Sequence, residues 1–272
     1  MNSGAKVTIL LPVYNCGKCL LNAVKSVVDQ SFNGWKLLIV DDGSTKIETA
    51  EILKSIIQGT NKVEVIRLPE NKGIINALNT GLEHVNTQYV ARIDCDDWWK
   101  PGKLEKQIAF LENHPEYVMV ATWADVRTFG QPTKKSRQSQ YAGYKNIKSN
   151  IFKYNFIVHS SVVMRTEIIR KEKYAAKFKH VEDYELWLRM ACKYPIEILP
   201  EPLTVYNFGK GSVSYRYAIR QKANEILLKL SYISQYPKKY YLLYNFYELL
   251  KLIFAKAVNA TRAFLSGTKS NR

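Results

Sequence analysis

Apolar residues fall into short runs along the first 125 positions, and these runs alternate with stretches of helical spacing. Val7 to Leu11 is a near-continuous apolar run of strand length, as expected of a strand covered on both faces. Leu20, Leu21, Ala23, Val24, Val27 and Val28 then recur at the three-to-four spacing of an amphipathic helix. The alternation continues with a strand at Lys36 to Val40, a helix at Glu48 to Ile57, and a strand at Val63 to Leu68. A helix carrying Ile74, Ile75, Ala77, Leu78, Leu82 and Val85 follows, then a strand from Tyr89 to Ile93. A helix from Pro101 to about Asn113 and a strand near Tyr117 to Ala121 complete the series. Strands and helices in strict alternation predict an α/β fold, a mostly parallel sheet with right-handed crossovers and flanking helices.

The pattern loosens between Val126 and Asn155, a basic stretch rich in Ser, Gln and Tyr that reads as a loop or flap over a site. A strand resumes at Ser160 to Arg165. Val181 to Tyr194 reads as a helix with Glu182 and Asp183 in its first turn, and Ile196 to Leu199 as a short strand. Gly209 to Ser212 is a turn. From Tyr217 onward the chain is helical in pattern, basic and aromatic. The expected division is therefore a domain over residues 1–215 and a helical extension over 216–272. The chain opens with no basic-then-apolar leader, and no run of about 18 apolar residues suggests a spanning helix.

Charge sharpens this division. The formal net charge is +16, but residues 1–126 sum to −2 and residues 180–215 to −2. The excess sits in residues 127–179, at +11, and residues 216–272, at +9. Two basic blocks around a near-neutral core suit surfaces that meet an anionic membrane, a phosphate-bearing acceptor or nucleic acid, or ordinary solvated lysines. Cys16, Cys19, Cys95 and Cys192, with no leader, imply a reducing compartment. Cys16-x-x-Cys19 has redox or metal spacing but no second pair or nearby His, so packing at the helix start is the expected role.

The candidate chemistry lies at strand ends. Asp94-Cys95-Asp96-Asp97 puts three carboxylates in four residues at the carboxyl end of a strand, where open α/β sheets bind ligands. Such a cluster is costly unless something positive joins it. Hard oxygen ligands suit Mg²⁺ or Mn²⁺ bridging a diphosphate, and a solvated acidic turn is the plainer alternative. Asp41 and Asp42 follow another strand. A carboxylate there can accept the imide N–H of uracil while Tyr14 stacks on the base, or Asp42, Ser44 or Thr45 can cap the next helix. Lys72 and Arg92 are the cations expected near the diphosphate, or each is a solvated loop charge. Neither GxGxxG nor GxxxxGK[ST] is present, which disfavours dinucleotide redox and ATPase chemistry.

Val7 to Asn15, Val40-Asp-Asp-Gly-Ser-Thr45, Asn71-Lys-Gly73 and Asp94-Cys-Asp-Asp97, in that order, resemble glycosyltransferase family 2. His159 to Arg165 and His180 to Arg189 match later parts of it. The resemblance spans about residues 6–215 and implies the GT-A fold and inverting, metal-dependent hexosyl transfer with Mn²⁺ or Mg²⁺. It implies that Pro12, Tyr14 and Asp42 surround uridine with Asn15 and Asp41 beside them. It also implies that Asp94 and Asp96 form the DxD pair, Asp96 being the better metal ligand, and that Asp183 is the catalytic base. Related chains often carry a metal-reaching His near the end of the catalytic domain. Here Tyr206 to Ser214 has Gly209 near that place, with His159 and His180 as possible substitutes that suit core or acceptor-side roles better.

The implied partners are a UDP-sugar and a glycan or lipid-linked sugar acceptor, with no nucleic acid. O-antigen, capsule or lipooligosaccharide synthesis on a polyprenyl diphosphate, with a β-1,3 linkage, is the specific expectation. It would take place at the cytoplasmic face of a bacterial inner membrane, with the extension lying on lipid or packing on the domain. The competing readings are a polyanion- or RNA-binding protein and a nucleotidyltransferase.

Overall fold

The computed structural model describes residues 4–128, 134–135, 141–209, 216–236, 246–251 and 253–254. Its centre is a nine-stranded mixed sheet in the order β3-β2-β1-β4-β8-β6-β9-β5, with β7 paired to β6. The first half is the parallel unit expected from the alternation. Strands β1 (Val7–Val13), β2 (Trp35–Asp41), β3 (Val63–Arg67) and β4 (Tyr89–Arg92) run parallel. They are linked by α1 (Cys19–Val28), α2 (Ile47–Gly59) and α3 (Ile74–His84). Residues on opposite faces of these strands enter separate cores. Leu10, Leu38 and Val40 join Ala77, Leu78 and Leu82 of α3. Ile9, Leu11 and Ile39 join Leu20 and Val24 of α1 and Ile52 of α2. Burial on both faces explains why these strands read as apolar runs. Gly81 lets α3 lie close on the sheet, since a Cβ there would sit 2.3 Å from Leu10 Cδ1.

The second half is mixed rather than parallel. β8 (Val163–Arg165) pairs antiparallel with both β4 and β6 (Met119–Thr128). β9 (Ile196–Phe208) runs parallel to β6, and β5 (Trp98–Trp99) runs antiparallel to β9. Two expectations from the pattern change here. The strand expected at 196–199 is 13 residues long. Pro200 and Pro202 disguise its continuation, and the register absorbs them by stepping from Thr122↔Leu199 to Trp123↔Pro202. β6 likewise runs on to Thr128, into the stretch expected to be a flap. It meets β7 (Lys134–Lys135), and residues 129–133 and 136–140 lie outside the described residues. Ser160 and Ser161 belong to a short 3-10 turn (His159–Ser161) ahead of β8.

The remaining helices are α4 (Lys103–Asn113), α5 (Tyr144–Asn150), α6 (Thr166–Glu172), α7 (Glu182–Lys193) and α8 (Ala218–Tyr232). α7 carries the expected acidic first turn and buries Leu186, Trp187, Leu188 and Met190. α8 begins the basic extension and is tied to α7. Tyr232 donates to Glu185 Oε1 at 2.8 Å, and Tyr236 just beyond it donates to the Leu188 carbonyl at 2.8 Å. The fully buried Lys229 ammonium donates to Glu225 at 2.6 Å and to the Lys153 carbonyl at 2.8 Å. Burial pulls it down to about 8, although Glu225 opposes that shift.

Candidate active site

The carboxyl ends of β2, β1 and β4 are neighbours in the sheet and deliver the three expected loops to one edge. β1 runs two residues further than its apolar run, so Pro12 is a strand residue paired with Val40. Tyr14 is 48% exposed at its end and presents an open ring. Asn15 takes φ 50° and organises the neighbouring loop. Its Oδ1 accepts the backbone N–H of Thr45 at 2.9 Å and of Lys46 at 3.0 Å, and its own N–H donates to Ser44 Oγ at 2.8 Å. None of Asp42, Ser44 or Thr45 caps α2, whose N-cap position Lys46 receives no side-chain cap bond, and Asn15, in the loop after β1, instead holds the two residues just ahead of the helix.

Asp41 and Asp42 divide their work. Asp42 accepts the backbone N–H of Lys72 at 3.0 Å and of Gly73 at 2.8 Å, one on each oxygen. It therefore braces the turn into α3. Asp41 is fully buried and accepts the Ser44 N–H at 2.9 Å on Oδ1. Its Oδ2 has no hydrogen-bond donor among the described residues, and Arg67 Nε stands 3.6 Å away. Gly43, between Asp42 and Ser44, has φ +67°, and a Cβ there would meet the Glu70 backbone at 2.5 Å. A cleft lined by Gly43, Ser44, Thr45, Arg67, Leu68 and Pro69 opens beside Asp41. Lys72 directs its ammonium toward Glu70 at 3.3 Å on the surface.

β4 delivers Arg92 and the acidic loop. Arg92, one of the two cations expected near the diphosphate, is not a solvated loop charge. It is 1% exposed, and its Nη2 donates to Asp94 Oδ1 at 2.5 Å. Its Nε and Nη1 have no partner among the described residues. Its position in a strand buried on both faces explains the difference. Burial raises the Asp94 carboxyl, but the Arg92 charge and hydrogen bond outweigh that and hold it below the usual carboxylate range. Asp97 is wholly internal. It accepts the Asn207 N–H at 2.9 Å and the Ser160 hydroxyl, which pins the loop to β9 and to the 3-10 turn. Burial and the neighbouring Asp94 and Asp96 push it well above the usual range.

Asp96 is raised to about 6, first by burial and then by Asp94, and its own backbone N–H and the Arg92 charge offset that rise only in part. Two close carboxylates, one held by arginine and the other poorly compensated, fit a divalent cation at Asp96. Among the described residues no group of three or more His, Cys, Asp or Glu is arranged to hold a metal by itself. The rest of a coordination shell would thus come from ligand and water. His159 does not supply it. It is buried, its Nε2 lies 2.8 Å from Tyr174 Oη, and burial and Arg92 lower it to about 3. His180 stacks on Tyr217 at 4.5 Å and is lowered by burial, Arg220 and Lys179.

Asp183 opens α7 close enough to feel the charge of Asp94. A helix start alone would keep it strongly ionised. Instead burial raises it to about 6, while the Tyr184 N–H and the Asn155 amide oppose that rise. Asn155 Nδ2 donates to Asp183 Oδ2 at 2.9 Å, and its own Oδ1 accepts the Ile157 N–H at 3.2 Å. The sequence offered no signal for Asn155, at the end of a patternless stretch. Glu182 beside it is buried and raised to about 7 by burial, Asp183 and Asp94, and its Oε2 has no partner among the described residues.

The cysteines correct another expectation. Cys16 does not simply pack at a helix start. It forms a disulfide with Cys95, between the two DxD carboxylates, across 79 residues of chain. Cys19 and Cys192 are free.

Comparison with known proteins adds to this geometry. The profile described as glycosyl transferase family 2 matches residues 8–172. The amylovoran biosynthesis glycosyltransferase AmsE of Erwinia amylovora is 30% identical over 227 residues, covering 81% of this chain and 83% of AmsE. Among solved structures, S. aureus TarS 1-349 in complex with UDP-GlcNAc has a TM-score of 0.68 at 19% identity. That match covers 90% of this chain and 71% of TarS 1-349. The mannosyltransferase PcManGT from Pyrobaculum calidifontis, with GDP-Man and Mn²⁺, has a TM-score of 0.67 at 16% identity, covering 96% of this chain and 80% of that one. At these identities the two structures bear on the fold, which is theirs: GT-A.

Proposed function

Because the chain belongs to glycosyltransferase family 2, we propose that it transfers a sugar from a UDP-sugar to a glycan acceptor with inversion, assisted by Mn²⁺ or Mg²⁺. The observation that carries this is the set of Arg92, Asp94, Asp96 and Asp183, in which Arg92 pairs with Asp94 and the charge of Asp94 reaches both Asp96 and Asp183. Family membership also sets aside the polyanion-binding and nucleotidyltransferase readings.

On the donor side, Tyr14 stacks on the base and Asp41 Oδ2, which has an acceptor site open, takes the uracil imide N–H. Asp42 acts one step back, fixing the Lys72–Gly73 backbone, and Pro12 and Asn15 set the loop around it. A divalent ion at Asp96, with Asp94 held by Arg92, would neutralise charge on the leaving diphosphate. Lys72, on the surface loop, can swing toward the same phosphates.

On the acceptor side, Asp183 accepts the proton of the attacking hydroxyl as that oxygen bonds to the anomeric carbon. With its value near 6, the carboxylate is mostly ionised at neutral pH and close enough to the working pH to be a useful base. Asn155 holds one of its oxygens and thereby orients the other.

A lipid-linked acceptor at an anionic inner-membrane surface fits the C-terminal residues. In the helical residues 246–251 and 253–254, Phe246, Tyr247, Leu250, Ile253 and Phe254 are exposed at spacings of one helical stripe. Lys251 lies among them, and residues 216–272 carry a net +9. No helix among the described residues is long and apolar enough to cross a membrane. AmsE is named for amylovoran biosynthesis, which supports a role in polysaccharide biosynthesis, and O-antigen or capsule is the pathway proposed. The β-1,3 linkage is the most specific part of the proposal. The deciding experiment is a donor screen that measures nucleotide release from UDP-sugars and GDP-mannose, with and without a polyprenyl-diphosphate-linked sugar. Release from no UDP-sugar, or from GDP-mannose alone, would overturn the donor assignment.

A further inference from the structure

The cysteines sit where a covalent bond would matter. Cys16 follows Asn15, whose side chain and backbone hold the Ser44–Lys46 segment. Its own carbonyl accepts the Thr49 hydroxyl at 2.6 Å, so it is anchored to α2. Cys95 lies between Asp94 and Asp96 in the acidic loop. A bond between these sulfurs ties the loop on the Asp41 side directly to the DxD carboxylates. Cys16 is buried and Cys95 half-buried, so Cys95 is the one that small thiol reagents reach first. Cys19 is free, with its Sγ turned to the Gly17 carbonyl at 3.8 Å, so the pairing runs across the cleft and not within Cys16-x-x-Cys19.

We infer that Cys16 and Cys95 are a redox modification site, a latch that closes the nucleotide loop onto the acidic loop when a low-molecular-weight disulfide such as oxidised glutathione is present. The Cys95 thiol gives up its proton and its sulfur attacks one glutathione sulfur, expelling a glutathione thiolate. The Cys16 sulfur, losing its proton in turn, attacks Cys95 Sγ of the mixed disulfide and expels the second thiolate. Two protein thiols are oxidised, one glutathione disulfide is reduced to two glutathiones, and the two protons end on these. Thiol–disulfide exchange makes and breaks such a bond reversibly, which suits a latch that opens as the thiol pool recovers. Closed, the latch pre-organises both loops before the donor arrives, and pre-organisation raises affinity by cutting the cost of ordering. This consequence rests on the nucleotide-donor reading.

The test compares the full-length chain treated with a phosphine reductant or with oxidised glutathione, both then desalted. Peptide mapping after thiol alkylation should show Cys16 linked to Cys95 in the oxidised sample only. The thermal midpoint should fall by at least about 5 °C on reduction, given the length of chain the bond closes. The dissociation constant for UDP with Mn²⁺ should rise roughly 3- to 10-fold on reduction. Cys16→Ser should bind UDP like the reduced protein in both conditions, Cys95→Ala should do the same if Cys16→Ser misfolds, and Cys19→Ser should keep the full response. A Cys16–Cys19 link, glutathione adducts without a crosslink, or equal constants in both states would overturn the latch. If UDP binds in neither state, the donor reading has failed, and the stabilisation by Mn²⁺ alone then decides. Equal thermal shifts in both states would overturn the latch, and a larger shift in the oxidised state would retain it.

Discussion

The two carboxylate-bearing edges of the cleft solve opposite problems. At the β2 edge, Asp42 has a backbone N–H on each oxygen and Asp41 has one, with Arg67 nearby. This edge is finished by its own backbone and leaves a single acceptor atom open. At the β4 edge, Asp96, Asp97, Glu182 and Asp183 all feel the charge of Asp94, which one buried arginine holds, and all but Asp94 are raised above their usual range. That edge lacks positive charge until something brings it. A shape-complete edge suits recognition of a neutral base, and a charge-deficient edge suits a cation and a moving proton.

The largest effect should come from the charge-deficient edge. Asp96→Ala should lower turnover by roughly 10³-fold, since metal stabilisation of a leaving diphosphate is worth several kcal/mol. EDTA should abolish transfer by the wild type and Mn²⁺ should restore it. Circular dichroism should show the Asp96→Ala fold intact. Full activity in EDTA would remove the contrast between the edges. Asp183→Asn preserves shape and removes the proton acceptor, so turnover should drop at least roughly 10²-fold with UDP-sugar affinity nearly unchanged. Near-normal turnover would leave Asp183 as a helix-start residue only.

The β2 edge should respond in affinity instead. Asp41→Ala removes a buried charged acceptor, worth about 1.5–3 kcal/mol, so UDP should bind roughly 10- to 150-fold more weakly in calorimetry. Asp42→Ala should act mainly on thermal stability, because it frees the Lys72 and Gly73 N–H groups. If Asp42→Ala weakens UDP and Asp41→Ala does not, the two carboxylates have been assigned the wrong way round.

A smaller effect reads the proton directly. The base must be ionised to work, so turnover should fall as pH drops through the Asp183 value of about 6. The Asn155 amide stabilises the ionised form, and Asn155→Ala should move that acidic limb to higher pH by up to about one unit. A purely structural role for Asn155 would lower turnover equally at every pH and leave the limb in place.

The two edges also differed in how far the sequence revealed them. Burial on both faces leaves a continuous apolar run, so β1, β2 and β4 and the loops at their ends were legible from pattern and motif. The chain order also showed which acids would stand at strand ends. What it hid depends on contacts between distant segments. Asn15 braces a loop 30 residues on. That Arg92 would be buried against Asp94 was hidden because it depends on the strands packed on either side. Asp97 is internal only because Asn207 and Ser160 close over it. Cys16 finds its partner in the acidic loop rather than at Cys19, and two prolines mask a strand that a register shift carries through.

The smallest and most salt-dependent effect concerns the basic extension, which the pattern showed only as helical and aromatic. One face of its first helix is spoken for: Leu228 and Lys229 are fully buried, and Tyr232 and Tyr236 bond to α7. Leu227 and Leu230 are exposed on its other side, but the larger apolar face is the aromatic stripe from Phe246 to Phe254, with Phe254 72% exposed. Each cation near an anionic surface contributes on the order of 1 kcal/mol, fading within a Debye length of about 8 Å at physiological salt. Inserted aromatics add an attraction that salt does not screen. The full chain should thus float with anionic liposomes at low salt and be released only in part at high salt. Replacing Phe246, Tyr247 and Phe254 with Ser should make that release complete while leaving α8 and the cleft undisturbed. If the full chain fails to float with anionic liposomes even at low salt, the stripe meets protein rather than lipid. The acceptor would then have to reach the Asp183 side of the cleft from solution.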